Sequence, residues 1–70
     1  MMDDTKTKKI QEMATWMHQD AHRVAFTIGM IRAGDPLYAD NIEYSRRLMR
    51  DNLESILRLA GLIQRELGDE

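Results

Sequence analysis

The chain has 70 residues, 12 acidic and 10 basic, a formal net charge of -2 and no cysteine. That length supports one small domain whose core would be marginal as a monomer. It excludes disulfides and thiolate metal sites, and its interspersed charges leave no broad basic field of the kind that binds nucleic acid. No apolar run approaches the roughly 18 residues of a membrane span. The opening MMDDTKTKK lacks the apolar stretch of a signal peptide, so a cytoplasmic location is expected. Leu, Ile, Met, Ala, Glu, Arg and Gln are prominent, and all but Ile are good helix formers. An all-α fold follows.

The first helix is expected over residues 4–33, with Asp3 and Asp4 at its positive end. Ile10, Ala14, Met17, Ala21, Val24, Ile28 and Ile31 recur at alternating spacings of four and three, an unbroken heptad seam. The punctuation comes at AGDP, residues 33–36. Gly34 suits the left-handed residue just past a helix end. Asp35 and Pro36 suit an N-cap and a first helical position. A second start signal follows, because Asp40 and Glu43 have the spacing of a capping box. The turn therefore occupies about residues 34–40, and the second helix starts at Pro36 or near Asn41. It is expected to run to Leu67, with Gly68 as its stop.

The second helix repeats the pattern through Met49, Leu53, Ile56, Ala60, Ile63 and Leu67. Two matched seams joined by a short turn predict a two-helix antiparallel hairpin. Met17, Ala21, Val24, Ile28, Leu53, Ile56, Ala60 and Ile63 are its predicted core. Apolar surface is left over. Leu37, Tyr44, Leu48, Leu59 and Leu62 make a second stripe on the second helix, and Trp16, Phe26 and Met30 lie away from the seam on the first. A lone hairpin cannot cover both, and surplus apolar surface of this extent usually means association. Dimerisation into a four-helix bundle is the expected solution. Arg47–Asp51, Arg50–Glu54 and Glu54–Arg58 have the spacing of helical ion pairs. They make YSRRLMRDN a solvated face first and an acid- or phosphate-binding patch second.

Chemistry has few places to sit. His18 and His22 share a helical face and could chelate a divalent ion. A stable zinc site wants four ligands, or three and water, so the others would have to come from another helix or subunit. The stretch HQDAHRVAFTIG, from His18 to Gly29, resembles in outline the phosphoacceptor helix of dimeric sensor kinases and phosphorelay phosphotransferases. That resemblance implies His18 as a phosphoacceptor. It departs from the pattern at Gln19, where an acid is typical, and at His22, where asparagine is frequent, and it does not place the chain in that family. No glycine-rich phosphate loop or nucleophile–base motif is visible, so neither enzymatic activity nor a cofactor is expected.

The remaining candidate is the side of the first helix that carries Trp16, Arg23, Phe26 and Met30. Aromatic residues, Met and Arg are enriched at binding hot spots. Trp16, Phe26 and Met30 are either part of the oligomer's own core or, with Arg23, the expected contact face for another protein. The expectation is thus a small non-catalytic regulatory or adaptor protein, partnered with itself and with an unidentified protein. Small helical dimers can also bind RNA along a helix face, but Lys6, Lys8, Lys9 and Arg23 form too thin a basic stripe to favour it.

Overall fold

The computed structural model describes residues 3–68. It is all-helical: α1 spans Asp4–Arg32, α2 is a single turn at Pro36–Ala39, and α3 spans Ile42–Gly68. The two long helices pack side by side and run antiparallel. The Lys9 ammonium meets the Glu66 carboxylate at 3.0 Å, joining the start of α1 to the end of α3. The result is a rod of 49 × 16 × 12 Å, one helix thick.

The helix ends follow their local chemistry. The Asp3 carboxylate accepts from the Lys6 amide at 2.8 Å and caps α1. At the other end Gly34 adopts φ 77°. The Gly34 amide donates to the Ile31 carbonyl and the Asp35 amide to the Met30 carbonyl, the paired bonds of a Schellman motif. Asp35 immediately restarts the helix by accepting from the Leu37 amide at 3.0 Å, with Pro36 in the first turn. Both candidate starts for the second helix are therefore used, one by α2 and one by α3. The Asp40–Glu43 capping box does not form. Asp40 ends α2, and Glu43 lies 3.7 Å from Arg46 instead. Asn41 makes the junction, donating to the Pro36 and Leu37 carbonyls.

The contact between α1 and α3 differs from the predicted seam. Its centre on α1 is Met13, Asp20 and Thr27, and on α3 it is Ser45 and Leu59, all buried. Ile10, Met17, Val24 and Ile31 flank that line and are half-buried, as are Met49, Ile56, Ala60 and Ile63 on α3. Ala14, Ala21, Ile28, Leu53 and Leu67 are exposed, so the predicted seam is only half inside the hairpin. Two causes combine. The apolar stripe on each helix is wider than one helix–helix contact can cover. Small polar side chains then occupy part of the contact line: the Thr27 hydroxyl donates to the Arg23 carbonyl within its own helix. Ser45, completely buried, donates to the Tyr38 carbonyl at 2.8 Å. Their polar groups are satisfied locally, so burying them leaves no unpaired donor.

Among the described residues, Met13 and Leu59 are the buried hydrophobic side chains. Leu59 belongs to the second stripe of the sequence, which faces α1 with half-buried Leu48 and Leu62.

Candidate functional site

The antiparallel packing gives the hairpin two unlike sides. Relative to the contact line, Trp16 and Arg23 project to one side of α1, and Ser55, Arg58 and Leu62 project to the same side of α3. Together with Met13, Gln19, Asp20 and Leu59 they line an open cleft of about 330 Å³. Its floor is apolar, from Met13, Leu59 and Leu62, with one carboxylate set into it. Asp20 is 7 % exposed, and its Oδ1 lies 3.6 Å from a guanidinium nitrogen of Arg23 on the rim. That distance is an ion pair without a short hydrogen bond. Arg58, across the cleft on α3, forms no ion pair among the described residues.

Trp16 is 52 % exposed and Phe26 is 51 % exposed. The four residues expected to form a contact face share this side of α1 but fall into two groups. Trp16 and Arg23 line the cleft. Phe26 sits nearer the turn, edge-on to Tyr38 with ring centroids 5.9 Å apart, and half-buried Met30 lies one turn beyond it. Tyr38 in turn meets Tyr44 at 6.4 Å. The aromatic cluster thus joins α1, α2 and α3 at the turn end, and the cleft opens beside it.

The sequence reading missed Asp20, Ser55, Arg58 and Leu62 as cleft residues. The available signal was heptad spacing: Asp20 follows Met13 and precedes Thr27 by seven residues each, so the three share one line on α1. Ser55 and Leu62 stand one turn either side of Leu59.

His18 and His22 are exposed on the outer surface of α1, where they line a shallow depression with Gln19 and Arg23. They face away from α3. Among the described residues no group of three or more His, Asp or Glu side chains is placed to hold a metal ion. The predicted pairs Arg47–Asp51, Arg50–Glu54 and Glu54–Arg58 do not close either. Their side chains extend into solvent, where an ion pair gains little over hydration, and the short contact in this region is Arg46–Glu43. Among the described residues no helix is long and apolar enough to cross a membrane.

No protein-family model matches this chain, and neither does any curated protein or any solved structure.

Proposed function

We propose that the chain is a small non-catalytic adaptor or regulatory protein, cytoplasmic and homo-oligomeric, which acts by binding another protein along the cleft side of the hairpin. The observation that carries this reading is the exposure of Trp16 and Phe26 on the side that holds the cleft between α1 and α3. Large, stiff aromatic side chains beside an apolar floor and a guanidinium rim are the composition of a binding hot spot.

The shape suggests the partner. A groove running along two antiparallel helices accepts an amphipathic helix laid into it. Met13, Leu59 and Leu62 would take its apolar face, Trp16 would wall one edge, and Arg58 would pair with an acidic side chain. Crosslinking in native cells followed by mass spectrometry tests this. A recurrent partner peptide crosslinked beside the cleft, and lost on Trp16→Ala with Arg58→Glu while the oligomer persists, supports the reading. A partner retained by that double variant, or crosslinks gathered on the outer surface around His18 and His22, would refute it.

A further inference from the structure

The side of the hairpin opposite the cleft is apolar along most of its length. The helical period places Ala14, Ala21 and Ile28 of α1 on it, beyond Met17 and Val24. It places Leu53, Leu57 and Ala60 of α3 there too, beyond Met49 and Ile56. Leu57 is 72 % exposed, and Leu53 and Ile28 are among the large exposed hydrophobic residues. All these positions are uncharged. We infer that this face is covered by the same face of a second copy of the chain, giving a two-layer, four-helix bundle. The inference specifies the oligomer within the adaptor reading above and rests on that part of it.

Area points to a second copy. The chain exposes 5459 Å², whereas a compact monomer of its mass exposes about 4,500 Å². The excess of about 900 Å² is close to the roughly 800 Å² that each partner buries in a standard protein interface. Shape agrees: the Cα radius of gyration is 15.7 Å, where a compact chain of this length would have about 11 Å. A domain needs two packed layers to enclose a core, and this hairpin is one layer with two buried hydrophobic residues among those described. The face also suits itself. A twofold interface sets one patch against its own copy; the named apolar positions can meet their copies, with Arg46, Arg50 and Glu54 beside Met49, Leu53 and Leu57 on the α3 side of the patch. Both helices carry the same alternating spacing of four and three, which lets side chains of one layer enter the gaps of the other.

Sedimentation equilibrium of the full chain between 1 and 100 µM, with thermal melts across the same range, tests the inference. The expected result is a species of twice the chain mass and a midpoint that rises with concentration. Ala21→Glu and Leu57→Glu, made separately, should each halve the mass. Where the glutamate also unfolds the hairpin, Leu57→Ala should weaken self-association by roughly tenfold or more while the chain keeps its helical spectrum. Phe26→Ala, on the opposite side, should leave the mass doubled. A wild-type chain that stays monomeric at 100 µM overturns the inference, and so does a dimer that survives Ala21→Glu and Leu57→Glu. Dissociation by Phe26→Ala would move the interface to the aromatic side and overturn it as well. Loss of a heterologous partner by cleft variants that remain dimeric bears on the adaptor reading alone, so the two can fail separately.

Discussion

Asp20 occupies the middle of the α1–α3 contact, opposite Leu59, where an apolar residue would ordinarily sit. Replacing it with leucine should stabilise the protein. A fully buried leucine side chain contributes about 1.5–3 kcal/mol relative to exposure, and the adjoining cleft leaves space for its methyl groups without overpacking. The loss is small. Asp20 pairs with Arg23 at 3.6 Å, and the Arg23 side chain is 65 % exposed. Screening by solvent keeps such a pair at the low end of about 0–1 kcal/mol. Leucine also has the higher helix propensity, worth a few tenths of a kcal/mol. The net is about 1–2 kcal/mol in favour of the variant, a rise of about 4–16 °C in the melting midpoint for a domain of this size. Circular dichroism melts at one fixed protein concentration would measure it, because the midpoint of an oligomer moves with concentration. Asp20→Asn, which keeps the shape and removes the charge, should cost no more than the pair with Arg23 is worth, about 0–1 kcal/mol. A lowered midpoint for Asp20→Leu would refute the reasoning, since the carboxylate would then be holding the helices together. A raised midpoint combined with loss of partner binding would mean that Asp20 is kept for the cleft at a cost in stability.

Three further substitutions probe the local devices. Gly34→Ala places a Cβ in open space but at φ 77°, so the cost is conformational alone, about 1–2 kcal/mol in a urea titration. Ser45→Ala removes the hydrogen bond to the Tyr38 carbonyl and should cost about 1 kcal/mol. Ser45→Leu should cost about 1–3 kcal/mol more by overpacking a completely buried site, and near-ultraviolet circular dichroism should show the Tyr38 cluster displaced. Asp35→Ala removes the cap of α2 and should cost about 1 kcal/mol, with amide exchange rising first in the 36–40 segment.

The helix ends were legible because each depends on one residue with a local job. Asp3, Gly34, Asp35 and Pro36 act on amides and carbonyls a few residues away, and that chemistry is written in order along the chain. The rotation of the helices about their own axes was not. Ile10, Ala14, Met17, Ala21, Val24, Ile28 and Ile31 identify what must be removed from water, yet burial is non-directional and does not say which surface removes it. A stripe wider than one contact can be shared between two, and here the polar line Asp20, Thr27 and Ser45 takes the place facing the neighbouring helix. Thr27 and Ser45 can sit there because each hydroxyl finds a carbonyl nearby. The cleft was not legible, since Arg58, Ser55 and Leu62 join Trp16 and Arg23 only through the register of the hairpin. Arg58 in particular reads in sequence as half of an ion pair with Glu54, and only the fold turns it toward Trp16.

The polar line explains why the hairpin has two unlike sides. A two-helix contact filled with leucine and isoleucine would consume the stripe on each helix and leave the remainder solvated. With Met13, Asp20 and Thr27 facing Ser45 and Leu59, the stripe residues are displaced to one side, and Trp16, Arg23 and Phe26 to the other. If a second copy covers the apolar side, the clefts of the two chains open outward and neither is blocked by the pairing. Dimerisation and partner binding then do not compete for surface, and each dimer presents two equivalent clefts about one bundle width apart. A partner with two matching segments would bind the second cleft as an intramolecular event, at an effective concentration set by the spacer between its segments. Partner affinity should therefore fall when the Ala21 and Leu57 face is disrupted, even with every cleft residue intact. The dependence should vanish for a partner that carries a single segment.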